Sequence, residues 1–206
     1  MAILPLEDFL QKHRPAYEKR YGPLALIDQL KEGDVVNKSS GLDYEIDDIK
    51  KVLSKIGESK DFPYGKINGM LRSDAEAIKA LFDAEGQTRK GKKVLPFSRV
   101  VEEGLGECLE KSVLSHLFLQ NFPQVHEHFL VSGNIGSDDG EVGYHSFNLA
   151  KRNGNWVVID TENPHEKKNG KVIPYIVPIQ GVQASNDLPL KLDETRRNKR
   201  KYFLRL

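Results

Sequence analysis

Three residues of the chain could together carry out covalent chemistry: its single cysteine, Cys108, followed by His145 and Asp160. Cys108 stands where a helix is expected to begin, behind Gly104 and Gly106, and free amides at a helix start favour the thiolate form of a cysteine. A histidine can take the thiol proton, and an aspartate can fix the imidazole tautomer and stabilise the imidazolium. The pattern therefore predicts an enzyme with a Cys–His–Asp triad.

Each of these residues also has an ordinary structural explanation. A lone cysteine is often a buried thiol, and a strand histidine is often half-buried with its ring satisfied. Asp160 could simply end a strand and start the turn after it. Polar Glu107 beside Cys108 favours an exposed turn over a core position. The signals are weak one by one, and their combination favours a triad.

The elements that must position these residues are a helix and two strands. The helix is predicted from Cys108 to about Gln120, with Ser112 and Ser115 small enough for close packing on a sheet. Alternating apolar and polar residues predict four strands after it. These strands are expected at residues 126–134, 142–152, 155–161 and 171–179.

The Asn153-Gly154 pair is the strongest hairpin signal in the chain, and it makes the strands of His145 and Asp160 antiparallel neighbours. His145 lies eight residues before Asn153, and Asp160 lies six residues after Gly154. A two-residue turn therefore places them about two residues from direct opposition. That spacing is compatible with a His–Asp contact but does not require one.

The first third of the chain is predicted to be helical. Apolar residues recur at helical spacing near Leu6, near Leu24, and from Asp43 to Ile56, and Ser73 is expected to cap a further helix. Residues 61–70 are expected to form a loop, and residues 87–93 a polar connector. We therefore expect a helical N-terminal region at 1–90, a catalytic core at 91–185 and a basic tail at 186–206.

The tail allows two interpretations. A group of cationic residues in it could bind phosphate or an acidic partner, namely Arg196, Arg197, Lys199, Arg200, Lys201 and Arg205. The favoured interpretation is a solvated connection followed by a short terminal strand at Lys201–Leu204, because the whole chain carries a net charge of only +1.

Composition excludes several other classes of protein. With 38% apolar and 30% charged residues, the chain is typical of a globular protein with a sizeable core. The near-neutral charge makes nucleic acid an unexpected partner, and a single cysteine excludes an internal disulfide framework. We see no secretory signal and no apolar run that could span a membrane, so a cytoplasmic location is expected. Export without a cleaved signal leaves no trace in a sequence.

Neither a cofactor nor a metal is expected. His126 and His128 alternate on a predicted strand and could ligate a metal from one face, but a solvated strand face is favoured because no further ligand stands at a suitable spacing. Residues 137–141 carry calcium-like oxygens without the alternation of a dedicated loop, and a hairpin turn explains them.

Three blocks of the chain resemble the transglutaminase-like core of the papain-like cysteine hydrolases and acyltransferases. They are Gly106-Glu107-Cys108, His145-Ser146-Phe147-Asn148 and Trp156-Val157-Val158-Ile159-Asp160, and they cover a segment of roughly residues 94 to 180. The order Cys, His, Asp, and the intervals of 37 and 15 residues between them, are similar to those of that family. Phe147 stands where the family often has a tryptophan.

The resemblance implies an α+β fold in which a cysteine-bearing helix packs on an antiparallel sheet. It makes Cys108 the nucleophile, His145 the general base and acid, and Asp160 the orienting carboxylate. The implied activity is thioester chemistry on a protein or peptide substrate, either hydrolysis (protease, amidase or deamidase) or acyl transfer. Papain-like enzymes often have a glutamine shortly before the cysteine, and this chain has none there. A catalytically silent member used as an interaction module is therefore the alternative.

Overall fold

The computed structural model describes residues 3–4, 26–38, 41–59, 62–123, 125, 127–137, 140–152, 154–162, 166–168, 171–173, 176–179, 182–183 and 201–203. The predicted fold class is confirmed, because helices pack with antiparallel and mixed sheets and the helix that begins at Cys108 lies against an antiparallel sheet. The first helix predicted, near Leu6, lies outside the described residues.

The larger sheet has six strands, and all of its pairings are antiparallel. In spatial order they run β12, β9, β8, β7 and β14, and β2 also pairs with β7. Their bounds are β2 Leu26–Ile27, β7 His128–Ser137, β8 Gly140–Arg152, β9 Asn155–Ile159, β12 Ile176–Ile179 and β14 Lys201–Phe203. β14 occupies the segment for which the sequence indicates a terminal strand.

Two tight hairpins set the register of this sheet. Ser137 pairs with Gly140 across the turn between β7 and β8, as expected for the acidic segment at 137–141. Arg152 pairs with Asn155, so the β8–β9 turn is the predicted two-residue turn, and Gly154 takes a left-handed φ of 79° there. The predicted hairpin at Asn153-Gly154 is confirmed.

Three of the four strands of a second sheet lie within residues 1–90, the region predicted to be helical. The sheet has the order β3, β4, β6, β5, in which β4 and β6 are parallel and the other pairs antiparallel. Its strands are β3 Val35–Asn37, β4 Leu42–Glu45, β5 Gln87–Arg89 and β6 Lys92–Pro96. The prediction of a polar connector at 87–93 is wrong, because this segment forms β5 and part of β6.

Two further strand pairs lie outside these sheets. They are β1 Ile3–Leu4 with β13 Val182–Gln183, and β10 Glu166–Lys168 with β11 Lys171–Ile173.

Five helices are present in the described residues. They are α1 Ile49–Ile56, α2 Tyr64–Met70, α3 Ala75–Glu85, α4 Phe97–Glu102 and α5 Cys108–Leu119. The helix predicted from Asp43 begins later, because residues 42–45 join the second sheet, and it ends at Gly57 as expected. The loop predicted at 61–70 is wrong, since α2 occupies most of it. The cap of α3 is Asp74, whose carboxylate accepts the Ala77 N–H at 3.0 Å, and not Ser73.

α5 lies at the centre of the molecule, with Leu109 to Leu119 all buried. The hydrophobic core around it includes Ile78 and Phe82 of α3 as well as Leu130 of β7. It therefore draws on residues both before and after position 90, the boundary proposed from the sequence. The division into regions at 1–90, 91–185 and 186–206 stays a prediction.

Candidate active site

Cys108 is the first residue of α5 and is partly exposed. The turn before Cys108 forms two backbone hydrogen bonds with Arg72. The Gly106 N–H donates to the Arg72 carbonyl at 2.9 Å, and the Arg72 N–H donates to the Gly104 carbonyl at 2.7 Å. Gly104 has a φ of 64°, which favours glycine. At Gly106 a Cβ atom would lie 2.9 Å from the Glu110 Cβ, so the turn has no room for a side chain. These contacts fix the position of the backbone from which the Cys108 side chain extends.

A partly buried cluster of charged side chains also supports the start of α5. Glu107 and Glu110 form a reciprocal capping box, in which the Glu107 N–H donates to Glu110 Oε2 at 2.9 Å. The fully buried Glu110 also accepts the Tyr44 hydroxyl and the Lys38 ammonium, the latter at 2.8 Å, and Lys38 reaches Glu107 at 2.9 Å. Burial acts to lower the pKa of Lys38, but the two carboxylates outweigh it and raise that pKa.

His145 and Asp160 are hydrogen-bonded across the β8–β9 hairpin, which confirms the predicted contact. The distance from His145 Nε2 to Asp160 Oδ2 is 2.9 Å, and both side chains are buried. The ladder pairs Asn148 with Ile159, so one further step sets Asp160 opposite Phe147, two positions from His145. The Phe147 ring stacks on the imidazole at 6.2 Å between centroids, which further restricts its orientation.

The imidazole of His145 also interacts with the Cys108 side chain. Burial acts to lower the pKa of His145, but its interactions with Asp160 and Cys108 outweigh it and raise the pKa to about 9. His145 is therefore protonated at neutral pH. The structure brings the three predicted residues together, with His145 hydrogen-bonded to Asp160 and interacting with Cys108, while their catalytic roles stay a prediction.

Two serines of α5 fasten the helix to the sheet that carries His145. The Ser112 hydroxyl donates to the Ser146 carbonyl at 2.8 Å, and the Asn148 amide donates to the Ser112 carbonyl at 3.0 Å. Ser115 is within 3.2 Å of the Thr161 hydroxyl, next to Asp160. The small serines predicted to allow close packing thus also provide the hydrogen bonds that set the distance between Cys108 and His145.

The sequence analysis missed several polar residues around the triad, of which Lys38 is half-buried and the others are buried. Lys38, Tyr44 and Glu110 support the cysteine turn, and Lys111 links α5 to the residues that follow Asp160. One signal could have found Glu110, namely its position three residues after Glu107 in a capping box. No local pattern marks the others, because their partners lie far away in the sequence.

The weaker candidates contribute little to this site. His126 and the acidic pair Asp138 and Asp139 lie outside the described residues. His128 is not on a solvated face as was expected: its ring packs against the buried His116 at 4.6 Å between centroids. Among the described residues, no three histidine, cysteine or acidic side chains are grouped to hold a metal ion. The helices described here are all too short or too polar to cross a membrane.

Comparison with known proteins adds little to this geometry. No family model matches the chain, and no curated protein matches it. One similar solved structure is that of a "Putative Cysteine Protease" from Cytophaga hutchinsonii, with 11% sequence identity and a TM-score of 0.32. The match covers 94% of this chain but only 57% of that protein. A likeness of this size carries no argument about function, which has to come from the residues themselves.

Proposed function

We propose that the chain is a cysteine-dependent amide hydrolase or acyltransferase of the transglutaminase-like type, acting through a thioester on a protein or peptide substrate. One observation carries the proposal: Cys108, at the first position of α5, interacts with His145, and His145 is hydrogen-bonded to Asp160. Nucleophile, base and orienting carboxylate in this order form the arrangement that activates a thiol.

The two ring nitrogens of His145 have different partners in the proposed reaction. Asp160 binds Nε2 of His145, so Nδ1 is the nitrogen available to the thiol. His145 carries the proton of the thiol as an imidazolium, and the Cys108 thiolate attacks the substrate carbonyl carbon. When the tetrahedral intermediate collapses, the C–N bond breaks and His145 returns the proton to the leaving amine. Water or a second amine then attacks the thioester, giving a proton to His145, and this proton returns to the sulfur as the C–S bond breaks.

The start of α5 supplies a donor for the oxyanion of that intermediate. The capping box uses the backbone amides of Glu107 and Glu110, which leaves the Cys108 amide outside it. An amide at the positive end of a helix stabilises negative charge that develops beside it. We assign the Cys108 N–H this role. A reducing compartment such as the cytoplasm would keep the single thiol free for this chemistry.

The first test measures the reactivity of Cys108 toward iodoacetamide between pH 5 and pH 10. Because the chain has one cysteine, mass spectrometry reads a single site. We expect alkylation at pH 5 to 6 well above that of a cysteine-containing peptide, and a His145→Ala variant should lose this advantage. Reaction no faster than the peptide would contradict the proposal and favour the silent interaction module.

The second test separates hydrolysis from transfer. The protein is incubated with a pool of peptides, with and without a primary amine, and Cys108 is examined for a covalent acyl adduct. We expect an adduct that disappears in water and is passed to the amine when the amine is present. The matched control is Cys108→Ser, which should form no adduct. Adducts of equal amount on the serine variant would show that the label lies elsewhere.

A further inference from the structure

Lys111 is a buried charge one turn after Cys108 that the proposed chemistry does not use. It is only 4% exposed. Its ammonium forms an ion pair with Glu162 and donates to the Ser73 hydroxyl at 3.0 Å. Burying an ammonium costs several kcal/mol unless it is closely paired, so Lys111 is destabilising at this position without its partners. The contacts of Lys111 indicate its role.

The contacts of Lys111 lead to Asp160. The Ser73 hydroxyl donates to Glu162 Oε1 at 2.7 Å, so Lys111, Ser73 and Glu162 form a closed triangle. The backbone N–H of Glu162 donates to Asp160 Oδ1 at 3.1 Å, while the other oxygen of Asp160 binds His145. The carboxylate is therefore held at both oxygens. Glu162, whose backbone N–H binds Oδ1, is also the residue with which Lys111 forms its ion pair.

A second contact joins the same two segments. The Ser115 hydroxyl donates to the Lys111 carbonyl at 2.7 Å and lies 3.2 Å from the Thr161 hydroxyl, and both serine and threonine are buried. Thr161 and Glu162 directly follow Asp160. Since Lys111 and Cys108 belong to the same helix, whatever ties residues 160–162 to Lys111 also sets the distance between the carboxylate and the nucleophile.

We propose that Lys111, through Glu162 and Ser73, is a positioning residue that holds Asp160 in place against His145. The inference rests on the proposed function, because it concerns the geometry of the proposed triad. Lys111 takes no part in bond making. It anchors the segment after β9 to the helix of Cys108, so that the aspartate stays within hydrogen-bonding distance of the imidazole that it orients.

The test uses Lys111→Met, which removes the charge and keeps the length, together with Glu162→Gln and the double variant. The His145 ring is titrated by NMR, a readout that needs neither substrate nor a reactive Cys108. In Lys111→Met and in Glu162→Gln we expect the midpoint to fall by about one pH unit or more, because Asp160 is held less firmly. The double variant should be little worse than either single one, since both break the same link. Lys111→Arg should restore most of the shift.

The control is Lys51→Met, which breaks the ion pair between Lys51 and Glu102 away from the site and should leave the midpoint unchanged. If Lys111→Met proves unfolded by circular dichroism, Ser73→Ala opens the same triangle more gently and should lower the midpoint in the same direction. A folded Lys111→Met or Ser73→Ala protein with the parental midpoint would overturn the inference. Slow alkylation of parental Cys108 would instead contradict the proposed function alone.

Discussion

Replacing Asp160 by asparagine removes a charge from the triad with almost no change of shape, and its effect can be worked out from the structure. Burial acts against the imidazolium of His145, yet its partners raise the pKa from the ordinary 6.5 to about 9. That difference corresponds to about 3 kcal/mol in favour of the protonated ring. Without the Asp160 charge, burial and the Cys108 contact remain, so we expect the pKa of His145 to fall to about 6.5 or lower.

The assay is the NMR titration of the His145 ring, joined to the rate of Cys108 alkylation. In the parent the ring stays protonated until the pH rises through about 9. In Asp160→Asn it should lose its proton below neutral pH, so the population of imidazolium at pH 9 falls by at least about 150-fold. Acylation should slow accordingly, though less than in Cys108→Ala or His145→Ala, because nucleophile and base are still present.

A matched control is Asp43→Asn, which changes another buried aspartate, in β4 of the second sheet, where it lies 3.4 Å from Lys92. This variant should keep the midpoint of His145. If the midpoint of Asp160→Asn also stayed near 9, Asp160 would be only a strand terminator. The third member of the triad would then have to be sought elsewhere, with Glu162 and Asn163 the next positions to change.

Three further predictions follow from named contacts. Cys108→Ser should keep the circular dichroism spectrum of the parent and abolish amide-directed turnover; full activity would end the assignment of the nucleophile. Gly106→Ala should lower the free energy of unfolding by about 1–3 kcal/mol, measured in urea, and slow alkylation, because the new methyl would lie 2.9 Å from the Glu110 Cβ and 3.0 Å from Leu71. Burial and the neighbouring His128 lower the pKa of His116 to about 3, below its value in the unfolded chain, so stability should be lost as the pH falls below 6.5. At pH 4.5 the loss should reach about 2–3 kcal/mol relative to pH 7 in urea titrations, and a His116→Leu protein with the same pH dependence as the parent would refute this reasoning.

The sequence by itself determined the parts of the site that depend on short-range rules. The two-residue turn at Asn153-Gly154 leaves one register for its strands, and counting outward from it places His145 and Asp160 two positions from opposition. The turn with Gly104 and Gly106 marks the start of a helix, and α5 does begin at Cys108. Local geometry alone was enough for these positions, because every residue involved lies close to its partner along the chain or across one hairpin.

Only the tertiary structure decided where strands occur in the first part of the chain. Residues 42–45 join β6 in a parallel ladder in which Leu42 pairs with Lys93, about fifty residues away. A strand of three or four residues is stable only when its partner is present, so its own sequence carries little signal. Apolar spacing there also fits a helix, which is why the helix at Asp43 was predicted too early.

The polar residues that support the site were likewise decided by the tertiary structure. Glu110 and Lys111 lie one after the other on α5 and look like a charged, solvent-facing pair, yet both are buried. Glu110 meets Lys38 from 72 positions away, and Lys111 meets Glu162 from beyond β9. Burying a charge is costly unless an opposite charge lies close enough to pair with it. Which charge meets which depends on how distant segments fold together, and no local pattern along the chain records that.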